Sequence, residues 1–230
     1  MSTVLRVRDL AKSFTLHTQG GVRLPVLDGV TLTVFAGECV VLADPSGAGK
    51  STLLRAIYGN YLADRGSILL RHRSRLVELR GADPRTVLDV RRHTVGYVSQ
   101  FLRVIPRVPT LDVVAEPLRA LGVSTAVARG RAEALLTRLA VPARLWSLSP
   151  MTFSGGEQQR VNVARGFIAE HPLLLLDEPT AALDADSRRR VIGLIADAKT
   201  RGAAIVGTFH DREVRDAIAT RIVSVHGGDA

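Results

Sequence analysis

A chain of 230 residues, 46% of them hydrophobic, fits one large domain or one domain with a subdomain and can bury a sizeable core. No apolar run approaches the ~20 residues of a membrane helix, and residues 1–12 lack the apolar stretch of a signal peptide. A cytoplasmic chain with no direct membrane insertion is therefore expected. The net charge is +9, and the single cysteine, Cys39, excludes an internal disulfide.

Residues 4–7 and 30–34 read as strands, the second bounded by Asp28-Gly29 and Ala36-Gly37, which predicts an antiparallel β layer at the N-terminus. Residues 39–42 form an apolar strand, in which Cys39 reads as a small core hydrophobe. A helix is expected over 52–58, a hairpin from the short strands 66–70 and 75–79, and a buried strand over 94–98. Residues 111–121 and 127–139 carry apolar side chains at helical spacing, which predicts a helical insertion over roughly 101–153. Ser154 begins the next helix, reaching residue 168, with Glu157 in capping-box position. Residues 173–176 are four leucines, as in a parallel strand buried on both faces. A helix over 186–199 and strands over 203–207 and 222–225 complete an alternating α/β pattern.

The strand 39–42 runs into Asp44-Pro45-Ser46-Gly47-Ala48-Gly49-Lys50-Ser51-Thr52. A strand, a tight small-residue loop and a helix make a phosphate cradle, in which backbone N–H groups and the helix dipole meet the anion. Lys50 supplies a point charge for the β- and γ-phosphates of ATP, and the Ser51 hydroxyl can ligate Mg²⁺. Asp44 stands where the usual pattern has its first glycine. Either its carboxylate turns outward, or it lies near bound phosphates and weakens nucleotide binding; the second case implies that Asp44→Gly tightens ATP binding.

Further motifs come in order along the chain. Together they resemble an ATP-binding-cassette ATPase domain over nearly the whole chain: an α/β P-loop NTPase with a mostly parallel core sheet, an N-terminal antiparallel β layer and a helical subdomain. The resemblance implies one nucleotide-binding domain, with its core at 1–100 and 161–230 and the helical subdomain at about 101–160. Asp177, ending the leucine strand, is similar to the acid that holds magnesium, and Glu178 to the general base for the attacking water. Gln100 resembles the glutamine that senses magnesium and water, and His210 the switch histidine at the γ-phosphate. Ser154-Gly155-Gly156-Glu157 resembles the signature motif that faces a nucleotide held by another subunit, with Phe153 and Glu157 departing from the common residues. Asp184 resembles the D-loop aspartate, and Phe14 the aromatic that stacks on adenine. His17, His72, His93, His171 and His226 show no ligand spacing, so no zinc site is expected.

Other stretches are more particular: residues 21–27, 100–107, 135–146 and 202–211, with the run SGGEQQRVNVARGFI. These look like the L subunit of the bacterial carbon–phosphorus lyase system. That resemblance implies an accessory ATPase of ribose 1-methylphosphonate 5-triphosphate synthesis, docked on the lyase core complex and paired as a homodimer or with a homologous ABC subunit. The alternative is the ATPase of an ABC transporter, such as a lipoprotein-export system, whose partner docks on the helical subdomain.

Residues 65–107 hold ten arginines and three acids, hence +7 of the net +9. Only 4% of the chain is aromatic, and no ring interleaves with Arg71, Arg73 and Arg75, which disfavours base stacking. An acidic protein surface is the expected partner of this stretch, and nucleic acid is not.

Overall fold

The computed structural model describes residues 2–16, 18, 20–104 and 106–226. His17 and Ile105, which enter two of the sequence readings, lie outside the described residues. Two sheets carry the fold. In the first, β1 (Thr3–Leu16) pairs antiparallel with β2 (Val22–Phe35) and with β4 (Arg65–His72), and β5 (Arg75–Glu78) closes the edge. The second is parallel, in the order β6 (Val95–Val98), β7 (Leu173–Asp177), β8 (Ala204–Thr208), β3 (Cys39–Leu42), β9 (Arg221–Val223).

Every residue of β3, β7 and β8 is buried, so these strands carry apolar side chains on both faces. Successive side chains alternate between two cores. Leu173 and Leu175 pack with α1 (Lys50–Ile57) and the antiparallel sheet; Leu174 and Leu176 pack with the helical side. That side comprises α3 (Thr110–Ala120), α4 (Thr125–Arg138), α5 (Gly155–Phe167) and α6 (Ala185–Thr200). The mostly parallel core sheet, the antiparallel layer and the helices after β6 are as the sequence predicts.

Two helices escape the sequence reading. They are α2 (Pro84–His93) and α7 (Arg212–Ile218). In α2 only Val90 is buried, so no apolar stripe advertises it. Its signal is the cap: Asp83 accepts from the N–H groups of Arg85 and Thr86, with Pro84 in the first turn. Asp211 caps α7 in the same way. The first two strands also run to 14 residues each, far beyond the apolar cores of the prediction. Repeated bulges keep them paired through polar segments that show no clean alternation.

Close packing of α5 on the sheet depends on small residues. A Cβ at Gly166 would stand 2.3 Å from the Val98 Cγ2, and one at Gly96 would meet Leu174, the Gly166 carbonyl and His171 within about 3 Å. Gly166→Ala therefore gains helix propensity of about 1 kcal/mol but overpacks a fully buried contact, at a cost of about 1–3 kcal/mol. A net loss of stability is expected. Chemical denaturation should show a lower midpoint, whereas an unchanged or higher midpoint would refute the close contact.

Candidate nucleotide site

The buried strand β3 delivers the chain to the phosphate loop. Gly47 and Gly49 take φ of 85° and 88°, the left-handed region that favours glycine. At Gly49 the requirement is also spatial, because a Cβ would stand 2.7 Å from the Val26 carbonyl and 2.9 Å from Leu27. The loop is thus pressed against β2. Helix α1 then starts at Lys50 with no side-chain cap and no acid in its first turn. Its first N–H groups remain available to an anion. Lys50 Nζ donates to the carbonyls of Asp44 (2.6 Å) and Pro45 (2.7 Å), and the loop curls around that ammonium. Ser46 and Gly47 are exposed at the loop tip.

The second residue set sits at the end of β7. Asp177 is 1% exposed, and its carboxylate accepts from the hydroxyls of Ser51 (2.9 Å), Thr208 (3.2 Å) and Tyr97 (3.2 Å). The register of the sheet sets Thr208 directly beside Asp177. Glu178, the next residue, has φ of 53°, costly for a residue with a side chain and often found at functional sites. Its N–H donates to the Thr208 hydroxyl (3.0 Å). Its carboxylate meets His210 Nε2 (2.6 Å) and accepts from Gln100 Nε2 (3.4 Å). Gln159 Nε2 donates to its carbonyl (3.2 Å). The three predicted catalytic residues, Glu178, His210 and Gln100, therefore come together. A cleft of about 260 Å³ opens beside them, lined by Glu178, Thr180, Ala182, Arg188, His210 and Asp211.

The remaining candidates fall in two places. Phe14 lies on β1 beside the β2 segment that presses on Gly49, because Lys12 and Ser13 pair with Leu27 and Pro25. Its ring meets Tyr61 edge-on at 5.2 Å and lies under the Lys12 ammonium. At the start of α5, Ser154 and Glu157 form the predicted capping box, and hydrogen bonds from Ser154 hold the Glu157 pKa below its usual range. Among the described residues no hydrogen bond joins this segment to the phosphate loop. Asp184 caps α6 by accepting from Ser187 N–H, which lowers its pKa. The predicted D-loop aspartate is thus a structural cap within its own chain. Cys39 is fully buried and its thiol is pushed up to about 12, first by desolvation, so it stays a protonated core residue.

Two expectations need correction. The Asp44 carboxylate does not face the phosphate cradle. It accepts from the Ser224 hydroxyl and the Val225 N–H (2.6 Å), beyond the end of β9. The side chain turns to the C-terminal segment because two donors wait there. The arginine-rich stretch is also less free than its charge suggests. Arg65 pairs with Asp9 and Asp28, Arg73 with Asp89, and Arg71, Arg80 and Arg91 donate to backbone carbonyls. Five of its ten arginines thus bind their own chain. Sequence reasoning missed Tyr97, Thr208, Gln159 and Tyr61. Only Thr208 could have been found, as a hydroxyl ending the strand beside the Asp177 strand.

The description "ABC transporter" belongs to the family whose profile matches residues 27–181. The chain belongs to that family. Among its relatives is the lipoprotein-releasing system ATP-binding protein LolD of Maricaulis maris, 39% identical over 201 residues, covering 87% of this chain and 85% of the relative. The protein of the same name from Novosphingobium aromaticivorans is 37% identical over 98% of this chain and 97% of its own. A solved structure, the dimeric post-hydrolysis state of the ATP-binding cassette MJ0796 bound to ADP and Pi, superposes with a TM-score of 0.87 at 27% identity, covering 97% and 95% of the two chains. Both of these curated relatives are named for lipoprotein release, and they give the closer resemblance to the carbon–phosphorus lyase L subunit no support.

The Asp44 geometry reverses the expectation from sequence. Asp44→Gly strips Ser224 and Val225 of an acceptor, a loss on the order of 1 kcal/mol for a half-buried carboxylate. For a chain of this size the melting temperature should fall by about 2–4 °C. ATP affinity, measured by calorimetric titration at low and moderate salt, should not tighten. A salt-dependent gain in affinity would mean that the carboxylate does act on the phosphates.

Proposed function

We propose that this chain is the Mg-dependent, ATP-hydrolysing subunit of a membrane export assembly of the lipoprotein-releasing kind, working on the cytoplasmic side as one of a pair of cassettes. One observation carries the ATPase part: Glu178, with His210 and Gln100 on its carboxylate, stands next to the Asp177 that Ser51 reaches from the phosphate loop. In this reading Lys50 and the N–H groups of α1 hold the phosphates, and Phe14 packs on the base. Glu178 takes the proton of the attacking water, Gln100 orients that water, and His210 touches the γ-phosphate. Ser51, Asp177 and Gln100 offer the oxygen donors that suit Mg²⁺, which keeps several waters and phosphates among its ligands. When bound, the ion supplies charge neutralisation across the β- and γ-phosphates.

Pairing is supported by the separation of the two phosphate-binding halves. Ser154 and Gly155 are exposed at the start of α5, and among the described residues no hydrogen bond ties them to the phosphate loop of their own chain. A second cassette, identical or homologous, would bring that helix end to the nucleotide. We divide the chain into a core at 1–100 and 161–230 and a helical subdomain at about 101–160. The partner would dock at their junction, in a groove of about 360 Å³ lined by Leu88, Arg91, Arg92, Glu116, Arg165 and His171. Arg91 and Arg165 there already bind the Tyr58 carbonyl and Glu116, so Arg92 is the group that suits a partner segment carrying carboxylates, and nucleic acid is not a partner in this reading.

The export assignment is supported by the names of the relatives. A second reading, an accessory ATPase of the carbon–phosphorus lyase core complex, is favoured by residues 21–27, 100–107, 135–146 and 202–211. Affinity capture with the intact chain as bait separates them. Recovery of a permease supports export, recovery of soluble phosphonate enzymes supports the lyase, and salt-sensitive retention of DNA alone overturns both.

Glu178→Gln should bind ATP with wild-type affinity and hydrolyse it about 10²–10⁴-fold more slowly. Hydrolysis at the wild-type rate would remove Glu178 from the role of base.

A further inference from the structure

We infer that Tyr97 is a positioning residue for the metal-holding carboxylate: its hydroxyl fixes Asp177 so that the side chain keeps its aim when Ser51 turns to the ion. The inference rests on the nucleotide reading above, and it concerns a residue that no phosphate or signature motif contains.

Three hydroxyls donate to Asp177. Ser51 and Thr208 both donate to Oδ1, and among the described residues Tyr97 alone donates to Oδ2. A serine oxygen that ligates magnesium no longer serves only as a donor to Asp177. The carboxylate then relies on Thr208 for one oxygen and on Tyr97 for the other. Two donors on opposite oxygens resist rotation about the last side-chain torsion, which a single donor does not.

The tyrosine is itself held from three sides. Its ring packs on Tyr58 at 5.0 Å between centroids, just past the end of α1. Its strand, β6, pairs in parallel with β7, with Tyr97 in register with Leu175, two residues before Asp177. Arg55, one turn into α1 from Ser51, donates to the Tyr61 hydroxyl (3.1 Å) and interacts electrostatically with the Tyr97 hydroxyl. A guanidinium can only donate. Arg55 therefore offers the phenol no acceptor, and the phenol's proton goes to Asp177. The same helix that carries Lys50 and Ser51 thus also orients the donor on the far side of Asp177. Groups that support metal ligands in this way commonly tune metal affinity.

Tyr97→Phe keeps the ring on Tyr58 and removes only the hydroxyl. The test is a Mn²⁺ titration, read by electron paramagnetic resonance, of wild type and variant saturated with a non-hydrolysable ATP analogue. The affinity of each protein for that analogue is measured separately in EDTA. The variant should bind Mn²⁺ about 10-fold more weakly and the metal-free analogue with unchanged affinity. Unchanged Mn²⁺ affinity would overturn the inference. So would an equal loss in both titrations, because that marks Tyr97 as a packing residue and nothing more. A wild type that binds the analogue but no Mn²⁺ would overturn the metal site itself, and this inference with it.

Discussion

The site hangs on one buried carboxylate. Asp177 ends a strand that has no exposed residue, where an unpaired charge is costly to place. Three hydroxyls from three different elements answer it: Ser51 from α1, Tyr97 from β6 and Thr208 from β8. Those bonds join the phosphate loop to the central sheet at a single point. They also constrain the neighbouring residue. Glu178 must turn out of the strand immediately, and its N–H finds the same Thr208 hydroxyl that supports Asp177. The left-handed backbone at Glu178 is the local cost of placing two neighbouring carboxylates in two environments, one dry and one facing His210.

The sheet makes this arrangement possible because it is covered on both faces. Residues of β7 alternate between the α1 side and the α5–α6 side, and each set has its own apolar cluster. On one face α1 is seated so that Ser51 reaches Asp177. On the other face α5 lies close enough, over Gly96 and Gly166, for Gln159 to hold the Glu178 carbonyl and Asn162 to hold the Ser99 carbonyl. Asn162 thereby fixes the approach to Gln100. The packing of small residues and the geometry of the catalytic groups are one construction: a shift of α5 would move the supports of both Gln100 and Glu178.

What the sequence makes legible is what local chemistry dictates. The phosphate loop, the leucine strand with its two acids and the capping box at Ser154 each need particular residue types in consecutive positions, and each lies where the sequence puts it. Residues acting across the fold are different. Tyr97 reads as one more buried strand residue until β6 lies beside β7. Arg55 reads as a solvated helix arginine until Tyr61 and Tyr97 are seen beside it. Asp44 misleads for the same reason. Its sequence neighbours are the predicted phosphate-binding residues, but its partners lie 180 and 181 positions away at Ser224 and Val225. The charge excess at 65–107 misleads too, because Asp9 and Asp28, which pair with Arg65, lie outside that window.

Helix ends decide how the phosphate-binding groups are divided. The ends of α2, α5, α6 and α7 are closed by side chains of this chain: Asp83, Ser154, Asp184 and Asp211. The ends of α1, α3 and α4 carry no such cap, and of these α1 is the one that follows a glycine and has a lysine as its first residue. Its N–H groups are spoken for by neither side chain nor acid, which is the condition for binding an external anion. The cap at α5 is different in kind from those at α2 and α7. Ser154 and Glu157 satisfy one another at the helix start, yet Gly155 and Gly156 leave the backbone there without Cβ atoms, and a Cβ at Gly155 would meet nothing within 4 Å. A helix end that is internally satisfied and sterically open is stable when alone and can still admit a phosphate closely. In the pairing proposed above, that combination lets one chain fold before a second cassette brings its nucleotide to this helix end.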